Sequence, residues 1–410
     1  MNIIMPQKIK TDVLIIGGGL VGGMTACALA RGGVDVIVVD ADDPETLLKA
    51  EYDGRCSAIA RSVHNAFVAL GLWEHMAPEA GIIEDIRVTD GASPLFLHFD
   101  SLDLVGVPFG YMLENRTVRK AILKVVPEMD HATYLAPKRV QHIERNASEV
   151  NATLDDGTEI NAKLVIGADG RGSWVRRSAN IDITKWSYEQ TAIVCTVESE
   201  KPHLNVAQEH FLPSGPFAIL PMQDKRSSIV WTESTRNAPV MMKLSDEDFQ
   251  AELTERFGNY LGEVKVEGPR WSYPLTLQFA KRSIDQRLVL VGDASHGMHP
   301  VAGQGFNMGA RDACAIAELI IQTKQLGLDV GAGRVLEDYD RWRHFDNHLM
   351  LASTDAIVKL FSNNSSPIRF ARDAGLAIVE QLPFAKKFFT KSAMGLVGEL
   401  PEIMKEREAS

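Results

Sequence analysis

Cysteine is scarce in this chain: four of 410 residues, Cys27, Cys56, Cys195 and Cys314, with no CxxC pair among them. Scattered thiols of this kind read as reduced side chains in a reducing compartment and argue against a disulfide scaffold. Long apolar runs are missing too. The nearest approach, residues 92–113, is broken by His98, Asp100, Asp103 and prolines, short of the roughly 18 uninterrupted apolar residues of a membrane-spanning helix. Positive charge is in deficit, with 43 Lys and Arg against 54 Asp and Glu for a net charge of −11. A broad phosphate-neutralising surface, and with it nucleic acid as a partner, is therefore not expected. Residues 1–10 mix polar and apolar side chains and run directly into a strand pattern, unlike a secretory signal. There is no GxSxG elbow for a serine hydrolase, no internal repeat and no low-complexity segment.

What is present is ordinary globular composition, 45% hydrophobic and 24% charged, over a length that suggests two or three domains. Val13-Leu14-Ile15-Ile16 is a continuous aliphatic run, as expected of a parallel strand buried on both faces, and it ends in glycines. Helical spacing follows over 20–31, Gly32-Gly33 breaks it, and 34–39 supplies a second strand. That order is β-α-β. Further helical patterns cover 57–70, 115–126 and 245–257, and short strands are expected over 85–89 and 95–99. A three-stranded meander is expected from 139 to 168 with an Asp156-Gly157 turn. Alternation then dominates 186–277, the buried-strand pattern returns at 287–291, and residues after 334 are mainly helical.

Gly17-Gly18-Gly19-Leu20-Val21-Gly22 fits GxGxxG where strand becomes helix. Gly17 permits the turn, Gly19 lets backbone approach a pyrophosphate, and Gly22 lets the helix pack on the sheet. The free N–H groups of the helix start favour an anion. Asp40 closes the second strand where an acid can accept ribose hydroxyls. The motif alone does not separate FAD from NAD. Two later motifs bear on that choice: Gly167-Ala168-Asp169-Gly170-Arg171-Gly172-Ser173-Trp174-Val175-Arg176, and Gly292-Asp293-Ala294-Ser295-His296 leading into His299-Pro300-Val301-Ala302-Gly303-Gln304-Gly305-Phe306-Asn307-Met308-Gly309. The first reads equally as a turn and helix cap. The density of glycine in the second costs stability unless backbone must come close to something.

In this order the three motifs resemble the FAD-dependent group A aromatic monooxygenases, and several segments resemble the ubiquinone-biosynthesis hydroxylase branch. Those segments are Asp53-Gly54-Arg55-Cys56-Ser57-Ala58-Ile59-Ala60, Glu114-Asn115-Arg116, Gly215-Pro216-Phe217-Ala218-Ile219-Leu220-Pro221, Ser228-Ile229-Val230-Trp231-Thr232-Glu233, residues 300–312 and Ala393-Met394-Gly395-Leu396. The resemblance implies that Gly17, Gly19, Leu20, Val21, Gly22 and Asp40 hold the ADP part of FAD, with Arg55 and Arg116 as basic cofactor contacts. It implies that Asp169 is the acid of the DG motif, tied to the pyrophosphate and to nicotinamide use, and that Asp293 binds the ribityl chain. Gly303, Gly305, Phe306 and Asn307 would lie at the flavin pyrimidine edge, where N–H groups stabilise the reduced anion. Ser295 stands where the family often has Ala, a small-for-small change.

The implied activity is hydroxylation of the aromatic ring of a polyprenylated phenol in ubiquinone biosynthesis, using NAD(P)H and O2 through a flavin C4a-hydroperoxide. The flavin carries the chemistry, so no catalytic side chain is named. A single GxGxxG leaves nicotinamide to visit transiently. Alternatives are a soluble catabolic hydroxylase of a small aromatic such as a benzoate, and a non-catalytic flavoprotein scaffold of a biosynthetic complex. His296 and His299 form HxxH without a third ligand at suitable spacing, so no metal is expected. Phe217, Leu220 and Trp231, with His299 and Pro300, are candidates to line a substrate cavity; ordinary sheet core is the competing reading for the first three.

The expected fold is α/β: a Rossmann-like FAD-binding domain split in sequence, an inserted β-rich substrate domain and a helical C-terminal tail. Its expected pieces are 1–75, 111–185 and 278–345 for the FAD-binding domain, 76–110 and 186–277 for the substrate domain, and 346–410 for the tail. In that tail Arg369, Arg372, Lys386, Lys387 and Lys391 outnumber Asp373 and Glu380, beside Leu376, Val379, Leu382, Phe384, Phe388 and Phe389. Such a segment suits either an anionic membrane surface or packing on the flavin domain. The expected location is cytoplasmic, with peripheral attachment at the inner membrane face, and membership of a ubiquinone-biosynthesis complex, left open.

Overall fold

The protein is described by a computed structural model that covers residues 8–49, 54–91, 96–361 and 382–406. Its first sheet takes the parallel strands Leu288–Leu290, Glu159–Gly167, Lys8–Ile16, Val36–Val39 and Ala132–Leu135 in that order, with Ile284–Asp285 antiparallel at one edge. Val13, Ile15, Val36 and Val38 point into one apolar cluster, and Leu14, Ile16, Ile37 and Val39 into another. A strand buried on both sides loses the polar half of its alternation, which is why these segments are unbroken apolar runs. Each fully buried aliphatic side chain stabilises the fold by roughly 1.5–3 kcal/mol.

Helices Leu20–Arg31, Arg61–Leu70 and Gly305–Gln325 pack over the first face. The meander Val140–Arg145, Val150–Leu154 and Glu159–Gly167 supplies Val150, Ala152, Leu154 and Ile160 to the second. The helical pattern expected over 57–70 divides. Cys56–Ala60 is a strand paired with Gly110–Glu114, and the helix starts only at Arg61. Alternation in Ser57-Ala58-Ile59-Ala60 is compatible with either element, and the tertiary pairing decides it.

The second sheet has eight strands, ordered His296–Gly297, Val264–Ala280, Ile183–Ser199, Arg226–Ser234, Gly215–Pro221, Val206–Leu212, Asp85–Asp90 and Phe96–Asp100. Asp85–Asp90, from early in the chain, joins it in parallel with Val206–Leu212. One face carries Ile193, Cys195, Phe217, Ile219, Ile229 and Trp231 under helix Asp246–Phe257. The other face turns its apolar residues toward the nucleotide-type half of the molecule. His296–Gly297 pairs with Gln278 and Phe279, so the third glycine-rich loop is stitched directly to this sheet.

Helices Gly333–Phe361 and Pro383–Ala393 complete the described chain. Among the described residues no helix is long and apolar enough to cross a membrane. Residues 1–7, Asp53, Leu95, Ser365, Pro367, Arg369, Arg372, Asp373, Leu376, Val379 and Glu380 lie outside the described residues.

Candidate active site

Parallel strands deliver their C-terminal ends to one edge of the first sheet, and the glycine motifs begin there. Gly17 has φ +99°, and a Cβ on it would come 2.5 Å from the Ala168 carbonyl oxygen, so the first loop lies directly against the Asp169 loop. At Gly22 a Cβ would collide with the Gly17 carbonyl oxygen. Gly19 is different: its backbone angles are ordinary, at φ −63° and ψ −164°, and an added Cβ would meet nothing within 4 Å. The protein's own packing does not demand glycine at position 19; the space beside it is open.

Helix Leu20–Arg31 starts there without a side-chain cap or an acid in its first turn. Its leading N–H groups remain available to an anion. Asp40 accepts hydrogen bonds from the Gly18 N–H at 2.6 Å and the Asp42 N–H at 2.9 Å, while the Tyr134 hydroxyl donates to it at 3.4 Å. Tyr134 was not among the expected site residues. It reaches Asp40 from the neighbouring strand Ala132–Leu135, a pairing that sequence spacing does not reveal.

Asp169 serves its own helix. One carboxylate oxygen accepts from the N–H groups of Trp174 (2.6 Å) and Val175 (3.0 Å), and the other from the Ser173 hydroxyl (2.5 Å). Ser173 is the N-cap of helix Trp174–Ser178, its hydroxyl accepting the Arg176 N–H at 2.9 Å, and Asp169 supports that cap by taking the preceding N–H groups, which is the turn-and-cap reading of the motif. Arg171 does the connecting. Its guanidinium donates to Asp293 at 3.1 Å, to Thr276 at 3.2 Å and to the Met298 carbonyl at 3.1 Å. Asp293 is half exposed on a tight turn, Gly292–Ala294.

Beneath that turn lies a charged network. Asp312, fully buried, accepts from His296 at 2.5 Å, the Gly292 N–H at 3.1 Å, Arg343 at 2.9 Å and Asn347 at 3.1 Å. Burial opposes its ionisation, but His296 and Arg343 hold the carboxyl well below the usual carboxylate range. A lone acid inside the Ala-rich stretch 310–317 is the signal that could have found it. The HxxH pair is thereby divided: His296 belongs to this network, while His299 accepts the Val301 N–H on Nδ1 at 3.1 Å.

Val21 joins the motifs. A Cβ on Gly309 would sit 2.7 Å from it, and one on Gly292 would sit 3.1 Å from it. Leu20 and Phe306 pack on the first core, with Phe306 stacked 6.0 Å from Phe67. Asn307 clamps strand Cys56–Ala60, accepting the Ala60 N–H at 3.0 Å and donating to the Ala58 carbonyl at 2.9 Å. Gly303, at φ +61°, passes Ala58 so closely that a Cβ would come within 2.9 Å, whereas Gly305 has only Met298 nearby, at 3.8 Å. Arg55 and Arg116 flank the paired strands Cys56–Ala60 and Gly110–Glu114, and Arg116 is ion-paired with buried Glu114. The C-terminal Ala393-Met394-Gly395 returns here: the Ala393 carbonyl accepts from Gln304 at 3.4 Å and the Met394 carbonyl from the Ser62 N–H at 3.1 Å.

The expected substrate-lining set is split by the second sheet. Phe217 and Trp231 turn to the far face, where Trp231 packs on Phe249 and carries Arg256 at 4.3 Å over its ring. They are core beneath helix Asp246–Phe257, and their expected cavity role is corrected accordingly. Leu220 takes the near face with Met112, Ala207, Ala58 and Met394. His299 is fully buried, edge-on to Tyr188 at 5.1 Å, with Nε2 unpartnered among the described residues; burial, with Arg171 adding to it, pushes its pKa down to about 4. Because Nδ1 accepts, the neutral ring carries its proton on Nε2. Pro300 is exposed.

The profile described as an FAD binding domain matches residues 10–344. The chain belongs to this FAD-binding family. It is 54% identical over 391 residues to the ubiquinone hydroxylase UbiL of Rhodospirillum rubrum, covering 95% of this chain and 91% of that protein. It is also 33% identical over 389 residues to the 3-demethoxyubiquinol 3-hydroxylase of Escherichia coli, covering 94% and 99%. Its fold matches the crystal structure of p-nitrophenol 4-monooxygenase PnpA from Pseudomonas putida with a TM-score of 0.79 at 20% identity, over 96% of this chain and 99% of that one.

The protein is an FAD-dependent aromatic-ring monooxygenase of the ubiquinone-biosynthesis hydroxylase family, with NAD(P)H and O2 as co-substrates. The residues present fit the flavin nucleotide. The open space at Gly19 and the uncapped start of helix Leu20–Arg31 suit a pyrophosphate. Helix Gly305–Gln325 also starts without a side-chain cap or an early acid.

Proposed function

We propose that this flavoprotein hydroxylates the aromatic ring of a polyprenylated phenol on the route to ubiquinone. The observation that carries the reading is the near-complete match to a ubiquinone hydroxylase at 54% identity. The apolar face of the second sheet, with Ile86, Ala207 and Leu220 packed against Met112 and Met394, gives a lipophilic ring apolar surroundings. Bound FAD would supply the redox chemistry: NAD(P)H and O2 are consumed, one oxygen atom enters a C–H bond of the ring as hydroxyl, and the other leaves as water.

This chain's residues bind, orient and exclude water. Gly17, Gly19, Gly22 and Asp40 would hold the ADP part, and Asp293 the ribityl chain. Gly303 and Gly305 would lie at the flavin ring, with Arg55 and Arg116 beside the cofactor. Asp169 would act through its loop, since its oxygens are already engaged at the start of a helix. His299, neutral and with a free Nε2–H, would face the substrate side. The two sheets support a division in which 76–110 and 186–277 form the substrate domain and the remaining pieces to 345 form the FAD domain. Apolar residues such as Met112, Leu220 and Met394 would keep bulk water from bound FAD.

Helix Pro383–Ala393 exposes Phe384, Phe388 and Phe389 beside Lys387 and Lys391. We infer that it rests on an anionic membrane surface, from which a lipid substrate would arrive. Flotation with anionic liposomes tests this: the protein co-floats, and Phe388→Ser with Phe389→Ser loses most of that binding. The activity is tested by mass spectrometry of quinone intermediates in a deletion strain and by turnover of a prenylated phenol by the purified holoenzyme. Turnover of only water-soluble benzoates would move the protein to catabolism, and flavin binding without any NAD(P)H consumption would make it a scaffold.

A further inference from the structure

Among the interior carboxylates, Glu209 stands apart. Asp312, Glu114 and Asp12 each face at least one cationic side chain. Glu209, in the middle of strand Val206–Leu212, has neither a hydrogen-bond nor an ion-pair partner for its side chain among the described residues. Its pKa is pushed up to about 7 by burial alone, with no neighbouring charge contributing. It nevertheless keeps some accessible surface. A carboxyl that is desolvated yet not fully packed over is open to a bound molecule.

Period-two geometry says which space that is. Ala207 and Phe211 share its face of the strand. Ala207 belongs to the cluster with Met112 and Met394, and Phe211 to the one with Val301 and Val358, where Phe361 stacks on it at 4.0 Å. Glu209 sits at the seam between the two, on the side toward the third glycine loop. Its neighbours across the sheet are Val88 on one strand and the small Ala218 on the other. The adjacent Gln208 and His210 alternate to the opposite face, where His210 is bonded to Thr89 at 2.6 Å.

The geometry points to Glu209 as the group that hydrogen-bonds the ring hydroxyl of the phenolic substrate and so sets which ring carbon meets the flavin. This rests on the functional reading above and deepens it. An apolar seam accepts the ring and its prenyl substituent, and a single unpartnered carboxyl within it supplies the polar contact that orients them. Near neutral pH a substantial fraction of that carboxyl is protonated, so it both donates and accepts, as a phenol hydroxyl does. Leaving such a group unmatched penalises an analogue without the hydroxyl, which is how a site built around one polar contact discriminates.

The test uses the full-length, FAD-loaded protein. Binding is followed by the change in flavin absorbance on titration with a short-chain prenylated phenol and with its methyl ether, alongside turnover of the phenol. Wild type is expected to prefer the phenol by roughly tenfold or more. Glu209→Leu, similar in size, is expected to lose that preference with its flavin content unchanged. Glu209→Gln, which imitates the neutral carboxyl, is expected to retain most of it. A Leu variant that still discriminates, or a Gln variant as impaired as Leu, overturns the assignment while leaving the enzyme's function in place. A wild-type holoenzyme that neither binds nor turns over any prenylated phenol removes the functional reading, and the assignment of Glu209 with it.

Discussion

The glycine-loop edge of the first sheet and the near face of the second, which we propose share one site, are built by opposite means. At the loops, binding capacity resides in backbone: Gly17 and Gly22 are required because neighbouring carbonyl groups occupy the place of a side chain, and Gly19 because a ligand would. On the sheet it resides in side chains, and what matters is which face each takes. Trp231 and Leu220 lie on adjacent strands of one family-like segment pair, yet one is core beneath a helix and the other packs on the opposite face with Met112 and Met394. Turn and helix-start glycines leave a spacing in the sequence, even where, as at Gly17, the close neighbour belongs to a distant loop. Facing is a property of the assembled sheet.

The contrast can be broken at several points. The largest effect is expected for Gly22→Val, where backbone must move. We expect a loss of roughly 3 kcal/mol or more and little soluble, flavin-bearing protein, read by yield and circular dichroism. Next is Asp312→Asn, which leaves Arg343 and His296 without their buried acid. A destabilisation of about 3–5 kcal/mol in denaturant titration is expected. Because Asp312 ionises more readily folded than unfolded, its contribution is present at neutral pH. It is lost as pH falls below the ordinary value of 3.8 toward its depressed one, so wild type should lose stability on acidification over that range and the variant less.

Trp231→Ala is expected to cost about 3 kcal/mol of stability while the KM for the phenol stays within about twofold, as befits core on the far face. A large rise in KM with unchanged stability would return Trp231 to the site. The smallest effect on the fold is expected for Gly19→Val, whose melting temperature should stay near that of wild type. Its flavin affinity should fall by roughly tenfold or more, about 1.4 kcal/mol. If Gly19→Val melts as early as Gly22→Val, the distinction between a packing glycine and a ligand-facing one is lost.

Much of this protein was legible before any coordinates. The β-α-β unit and the meander occupy the expected positions, because unbroken apolar runs and glycine punctuation are strong local signals. The division of 57–70 into strand and helix was not legible, since Cys56–Ala60 becomes a strand through pairing with a segment over fifty residues away. Tyr134 at Asp40 and Arg171 at Asp293 escaped notice for the same reason. Asp169 shows the converse, a motif residue expected at the cofactor whose carboxylate the structure engages at the start of its own helix.

The sequence by itself determined that the chain carries a dinucleotide-type edge, because a turn and a helix start of this kind need glycine at fixed spacing, and the resemblance of its three motifs made FAD the expected nucleotide. Only the tertiary structure decided what surrounds the ring to be oxidised. Alternation along a strand assigns residues to two sides without saying which side meets the rest of the molecule, and that choice, which put Phe217 and Trp231 beneath a helix and Leu220 and Glu209 on the opposite face, is made when the sheets pack.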